Sequence, residues 1–255
     1  MLYRLGKKYG ETEERMLQSL QNAREKREAL LFDDEELERL NSEYDDAFAH
    51  VVGLADQLST LRKKTAEKFE KDVKSQLEFL DMPKITFKVH FEKGILSSSG
   101  YDKIEFLIST NPGEPAKPLA KIASGGELSR IMLAIKNIIA YNDTVGTLIF
   151  DEIDTGVSGR ASGKIGMKLR AVSKSTQVIT VTHSAQIAAF ADAHFLIKKD
   201  FRNNRTYTCV TPLAYEERKQ ELARIMGGLQ ITDALLESAG EMLNNAKEDD
   251  ENGNL

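Results

Sequence analysis

Three short runs hold the residue types that could do chemistry together. The first is Ala123-Ser124-Gly125-Gly126-Glu127-Leu128-Ser129-Arg130. A serine and two glycines open a stretch of helical periodicity, and the first turn of a helix leaves several backbone N–H groups without intrahelical acceptors at the positive end of the helix dipole. Ser124, Gly125, Gly126 and Glu127 thus make a candidate anion site, suited to phosphate above all. Taken alone, the run also describes an ordinary serine N-cap followed by flexible glycines. The second run is Thr147-Leu148-Ile149-Phe150-Asp151-Glu152. Its apolar residues read as a strand that delivers two carboxylates at its C-terminal end, where α/β folds place their ligands. This is the Walker B arrangement. Asp151 would hold Mg²⁺, mostly through water, because the ion prefers an oxygen octahedron. Glu152 would orient and deprotonate an attacking water. The third run is Val178-Ile179-Thr180-Val181-Thr182-His183, in which His183 ends the neighbouring strand within reach of a γ-phosphate. A lone histidine in such a place is more commonly structural or merely exposed.

These runs need elements to position them. From about residue 127 the pattern alternates: helix 127–141, strand 147–151, helix 159–173, strand 177–182, helix 184–191, strands 194–199 and 205–211, and helices 215–226 and 232–246. Strand–helix alternation with apolar strands predicts a largely parallel, covered α/β sheet. Ahead of it, Ile85, Phe87, Val89 and Phe91 alternate on one face of Lys84–Phe91. Lys103–Ser109 follows a serine-rich loop over 94–100, so the two segments read as a β-hairpin with a long connection.

Residues 1–82 have a different period. Leu37, Leu40, Tyr44, Ala47, Val51, Leu54, Leu58 and Leu61 step by three and four in alternation, a heptad seam. The seam continues with a slip through Thr65, Phe69, Val73, Leu77 and Leu80. Leu37–Leu80 as one helix would be roughly 65 Å long, more than a core built from the remaining residues could cover. The sequence therefore predicts a helical coiled-coil arm over 1–82, with a break near 32–35 where Asp33 and Asp34 could cap a second helix. A globular lobe over 83–246 and a disordered acidic tail over 247–255 complete the expected organisation.

The order and spacing of a signature loop, a Walker B strand and a strand-ending histidine are the layout of the ABC ATPase superfamily. The runs KIASGGELSRIMLAIK, TLIFDEIDTGVSGR, VTHSAQIAAFAD and GYDKIEFLISTNPGEPAKPL, with RLGKKYG and EERKQELARIMGG, resemble more narrowly the RecN family of SMC-like ATPases of bacterial double-strand-break repair. The resemblance covers essentially the whole chain. It implies the C-terminal lobe of a P-loop ABC/SMC-type ATPase head, α/β in class, on an extended coiled-coil arm. In such heads two copies sandwich ATP and Mg²⁺. Ser124 and Gly126 would meet the γ-phosphate of nucleotide bound to the opposing head, with Gly125 and Glu127 beside them. Asp154, Thr155, Gly156 and Ser158 would lie in the loop that crosses the head–head interface, and His183 would be the switch histidine. Implied partners are an N-terminal lobe, a second copy through heads or coil, and DNA.

One part of that machinery is missing from the sequence. A Walker A loop requires G-x-x-x-x-G-K-[ST], and none of the 255 residues supplies it. The nearest run, Gly159-Arg160-Ala161-Ser162-Gly163-Lys164-Ile165, is one residue short, lacks the hydroxyl and falls in a predicted helix. The expectation is a returning arm plus C-terminal lobe, inactive in ATP hydrolysis without the lobe that carries Walker A.

Composition sets bounds on these readings. A net charge of −5 confines any nucleic-acid contact to a local patch such as Arg62-Lys63-Lys64 or Lys198-Lys199, and the acids around these clusters favour reading them as solvated faces. Cys209 is the only cysteine, which rules out an intramolecular disulfide and a cysteine-based zinc site, and fits a reducing cytoplasm. No run reaches the about 18 apolar residues of a membrane span, so a cytoplasmic protein without a membrane partner is expected, and the family resemblance implies association with the nucleoid. His50, His90 and His194 share no metal-ligand spacing. Two further readings stand beside the leading one: a head of another SMC-like chromosome-maintenance ATPase, and a structural coiled-coil association module with a degenerate lobe. The joint presence of Ser124, Asp151, Glu152 and His183 argues against degeneration.

Overall fold

The computed structural model describes residues 2–10, 12–111, 113–122, 124–140, 144–202, 205–227 and 230–251. Helix α1 (Leu2–Tyr9) precedes a single uninterrupted helix α2 (Glu13–Phe79), about 100 Å long at 1.5 Å per residue. The Thr12 hydroxyl accepts the Arg15 N–H at its start. The expected break near 32–35 does not occur. Aspartate caps a helix only where the backbone leaves helical dihedrals, and nothing here makes it leave. The helix contains no proline, its one glycine is Gly53, and strong helix formers flank the acids on both sides. Just beyond, Arg39 bridges Glu36 and Glu43 one turn to either side. At the other end Asp81 adopts a left-handed conformation (φ 59°), and the Met82 N–H reaches back to the Leu77 carbonyl. This closure satisfies an end-of-helix carbonyl ahead of Pro83.

By packing, the chain divides into two units, one of Met1–Lys63 with Lys93–Asp102 and one of Lys64–Glu92 with Lys103–Leu255. In the first, Leu37, Leu40, Tyr44, Val51, Leu54, Leu58 and Leu61 of the heptad seam are exposed along α2. Ala55 and Ser59 are buried, because the tip of a hairpin made of β1 (Thr86–Ser97) and β2 (Gly100–Ser109) seats on this part of the helix. Asp102, almost fully buried, accepts the Ser59 hydroxyl at 2.7 Å and Arg62 Nη1 at 3.0 Å, while the Tyr101 hydroxyl donates to Asp56. The long serine loop expected between the strands is a tight turn instead. The Ser97 hydroxyl donates to the Gly100 carbonyl at 2.8 Å and accepts the Ser99 N–H. Gly100 supplies a φ of +88° that a side chain would resist, and a Cβ there would press on Leu58 and Arg62.

The second unit holds the core. Val73, Leu77 and Leu80, at the end of α2, are fully buried with Ile85 and Phe87, so the final turns of the seam exchange coil-type exposure for a globular interior. Phe69, Phe87 and Phe106 meet with ring centroids 5.4–5.9 Å apart. A short strand β3 (Lys117–Pro118) pairs antiparallel with β2. Helix α3 (Gly125–Ile139) follows and buries Ile131, Leu133, Ala134 and Ile135. The next unit is β4 (Thr147–Phe150), α4 (Gly159–Ser173) and β5 (Gln177–Thr180), a βαβ crossover. Its strands pair in parallel from Thr147↔Gln177 to Phe150↔Thr180. Helix α5 (Ala185–Ala188), the antiparallel pair β6 (Phe195–Arg202) and β7 (Arg205–Pro212), and helices α6 (Tyr215–Gly227) and α7 (Asp233–Glu251) follow. A second cluster built on Leu222, Ala223, Ala239 and Leu243 joins α5, α6 and α7.

The sheet differs from the expected largely parallel, covered one. Among the described residues only β4 and β5 pair in parallel. Leu148, Phe150 and Val178 pack inward, but Ile149 is 70% exposed, and Ile179 and Val181 are exposed on the same side. Alternation of side chains across a strand means that one face of this pair is buried and the other is bare. The acidic end is likewise more regular than expected: 247–251 continue α7, and 252–255 lie outside the described residues. No helix among the described residues is long and apolar enough to cross a membrane.

Candidate functional site

Ser124 caps α3, its Oγ accepting the Glu127 N–H at 3.4 Å. Ser124 and Gly125 are exposed and Gly126 is buried, so the start of α3 opens to solvent at its cap and first residue and is pinned at the second. Ala123, which begins the motif run, lies outside the described residues. The Asp151-Glu152 pair emerges from the C-terminal end of β4 with both residues exposed. Glu152 has a φ of +56°. For a residue with a Cβ this left-handed conformation costs of order 1–3 kcal/mol and persists only where the surroundings impose it. The Thr155 N–H closes the turn onto the Glu152 carbonyl at 3.0 Å.

Side chains of α3 hold this turn. The Ser129 hydroxyl donates to the Asp151 carbonyl at 3.0 Å, and Arg130 Nη1 donates to the carbonyls of Ile153 at 3.1 Å and Thr155 at 3.0 Å. The Arg130 side chain is buried, and its Nε has no hydrogen-bond partner. Burial pulls its pKa below the ordinary value, and the nearby Glu127 and Asp154 charges oppose that pull. A guanidinium stays cationic throughout. The Glu152 carboxylate lies over Gly125, where a Cβ would stand 3.1 Å from Oε2. This is a favourable place for negative charge at a helix start.

Asp154 has a role its sequence position did not suggest. Its side chain is 3% exposed, and Oδ2 accepts the Thr182 hydroxyl at 2.5 Å and the His183 N–H at 2.9 Å, with His183 Nδ1 at 3.2 Å. It therefore faces inward, tying the end of β5 to the turn after β4, and the His183 ring remains 82% exposed. Thr155, Gly156 and Ser158 are exposed. Ser158 also caps α4 through its Oγ and the Ala161 N–H. The Gly159–Lys164 run is the first turn and a half of α4. Its Lys164 pairs with Asp81 at 2.6 Å, so its geometry is that of a helix and not of a phosphate loop. His50 and His90 are exposed, and His194 is half-buried with its pKa lowered by burial and by the Arg218 charge.

The three motif runs of the sequence are thus joined in one unit by named bonds: α3 to the turn after β4 through Ser129 and Arg130, and that turn to the end of β5 through Asp154. Sequence reasoning missed Arg130 and Thr182 as parts of the site. The signal for Arg130 was a lone charge directly ahead of the apolar run Ile131-Met132-Leu133-Ala134-Ile135. Replacing Asp154 by Ala leaves the half-buried Thr182 hydroxyl and the His183 N–H without their protein acceptor. Because solvent reaches both donors, the loss is that of ordinary hydrogen bonds, and a fall in urea-unfolding stability of about 1–3 kcal/mol is expected. Thr182→Val removes the hydroxyl that donates to Asp154 and accepts the Ser184 N–H at 3.0 Å but keeps the carboxylate paired with His183, and should cost no more than Asp154→Ala.

Among the described residues no three His, Cys, Asp or Glu side chains converge. Mg²⁺ is usually held by one or two carboxylates with water and phosphate oxygens, as the exposed Asp151 allows.

No family model matches the chain. The DNA repair protein RecN of Bacillus subtilis (strain 168) is 39% identical to it over 95% of this chain and 45% of that protein. The DNA repair protein RecN of Treponema pallidum (strain Nichols) is 40% identical over 95% of this chain and 44% of that protein. The chain therefore spans less than half the length of these relatives. Among solved structures, the Smc head domain with a coiled coil and joint from Pyrococcus yayanosii aligns with a TM-score of 0.56 at 18% identity, over 82% of this chain and 39% of that one. That likeness establishes the fold, an SMC-type head lobe with a helical arm. Identity near 40% sustained along nearly the whole sequence makes this chain similar to a portion, a little under half, of the DNA repair protein RecN.

Proposed function

We propose that this chain supplies the signature loop, the Walker B acids and the switch histidine to an ATPase head that works in DNA double-strand-break repair. The observation that carries this reading is the bonding of three motif segments into one unit by Ser129, Arg130 and Asp154. A lobe serving only as a coil-association module has no physical need to hold a left-handed glutamate beside a glycine-opened helix start. When bound, ATP and Mg²⁺ supply the phosphoryl group and the charge that activates it. The residues of this chain would do the rest. The open N–H groups at Ser124–Gly126, with Glu127 behind them, would bind phosphate presented by an opposing head. Asp151 would accept the metal's water shell, and Glu152 would orient the attacking water and take its proton. His183, anchored through its backbone by Asp154, would present its ring to the γ-phosphate. Exposed Thr155, Gly156 and Ser158 would contact the facing head.

The remaining partners follow from this reading. The phosphate loop would come from an N-terminal lobe, and the bare face around Ile149, Ile179 and Val181 is a surface such a lobe could cover. The exposed seam Leu37–Leu61 suits a second coil helix, and a pair of heads would tether DNA, in the cytoplasm at the nucleoid. The decisive experiment measures ATP binding and hydrolysis by this chain alone and mixed with a separately produced N-terminal lobe bearing a Walker A loop. No turnover alone, and turnover on mixing, is the expected result. Turnover by the chain alone would mean that phosphate is gripped by residues other than a Walker A loop. No turnover on mixing, with the two segments associated, would favour the purely structural reading.

A further inference from the structure

We infer that Arg130 is a positioning residue for Glu152, a role that rests on the ATPase reading of the same site. Glu152 can work as a base only from the position its backbone gives it, and that backbone is left-handed at a residue with a Cβ. Two contacts define the turn. The Thr155 N–H closes it onto the Glu152 carbonyl, and Arg130 Nη1 grips the Ile153 and Thr155 carbonyls from inside. A planar guanidinium can hold two carbonyls from one nitrogen at fixed separation. The charge is buried to do so, with its Nε unpartnered. Helix propensity does not account for it, since the neighbouring core positions of α3 are filled by Ile131, Leu133, Ala134 and Ile135. The α3 backbone that carries Arg130 also carries the phosphate-facing residues Ser124–Gly126 at its start. A displacement of α3 is therefore transmitted through Arg130 to the turn that aims Glu152. In this arrangement the signature helix and the general base move as one body.

Two measurements test this separately. The first is amide hydrogen exchange on this chain with Arg130→Met and Arg130→Lys. The Thr155 amide, which closes the turn, should exchange at least about tenfold faster in Arg130→Met, with Arg130→Lys intermediate because an ammonium is a point charge without the fork. The amide of Ile165 in the interior of α4 should not change. Uniform acceleration everywhere, or an unchanged Thr155 amide, overturns the inference whatever the protein hydrolyses. The second is steady-state kinetics of the complete head, this chain together with the phosphate-loop segment. Arg130→Met should lower kcat about 10- to 100-fold, the scale of a misplaced catalytic group, with KM for ATP within twofold of the parent and partial recovery in Arg130→Lys. Equal losses in kcat and affinity accompanied by global unfolding would mark Arg130 as structural only. Absence of turnover in the parent head would remove the ATPase reading and leave the exchange result to stand by itself.

Discussion

Glu152→Gln in the complete head is expected to lower ATP turnover by about 10²–10⁴-fold, the contribution of a positioned general base, while ATP binding and head association persist. The amide keeps the shape and hydrogen-bonding reach of the carboxylate but cannot take a proton. A second substitution at the same position separates chemistry from conformation. Glu152→Gly loses the same turnover yet releases the left-handed strain of φ +56°, so the chain should be at least as stable to urea as Glu152→Gln. That combination, a stabilised or neutral backbone with a dead site, identifies a residue whose strain is kept for function. If Glu152→Gln turns over within a few-fold of the parent, the base is elsewhere. Asp151 would then be the first candidate, since Ser129 fixes its carbonyl as firmly as Arg130 fixes its neighbours.

Much of this site was legible because its parts are local. Ser124-Gly125-Gly126 at a helix start and Asp151-Glu152 at a strand end follow from turn chemistry and strand periodicity, which depend on adjacent residues. Helix α4 spans Gly159–Ser173, the bounds that its sequence pattern predicts. What was not legible depends on contacts between segments far apart in sequence. The inward turn of Asp154 requires knowing that Thr182 and His183 arrive beside it from β5, and the Arg130 clamp requires the carbonyls of a loop more than 20 residues away. The same limit explains the sheet. Alternating strands and helices implied coverage on both faces, yet Ile149, Ile179 and Val181 are bare. A strand pattern reports that a residue suits burial, not that this chain carries the surface that buries it. The helix break at 32–35 failed for the opposite reason. Aspartates are cap formers only when something else bends the chain, and a continuous run of helix formers leaves nothing to do so.

Gly126→Ala is the second substitution expected to have a large effect, and it discriminates between two reasons for a glycine at this place. One reason is room for a phosphate, which would apply equally to exposed Gly125. The other is the approach of α3 to the turn after β4. A Cβ on Gly126 would stand 2.9 Å from the Glu152 carbonyl oxygen, 3.2 Å from Arg130 Nη1 and 3.2 Å from Thr155 Cβ. The first of these is backbone and cannot swing aside, so the helix and turn must separate. Overpacking of this kind costs about 1–3 kcal/mol, and here it would also pull Glu152 off its aim. Gly125→Ala meets only Glu152 Oε2, the far end of a flexible side chain, at 3.1 Å, and should be nearly neutral in stability. Gly163→Ala, in α4 with nothing within 4 Å of the new Cβ, should stabilise the chain by about 0.4–1 kcal/mol. Urea unfolding of the three variants therefore orders as Gly163→Ala above parent, Gly125→Ala near it, and Gly126→Ala well below. Equal stability at 125 and 126 would mean that the turn yields freely. In that case neither the strain at Glu152 nor the clamp at Arg130 could be holding it, and the glycine would serve the ligand alone.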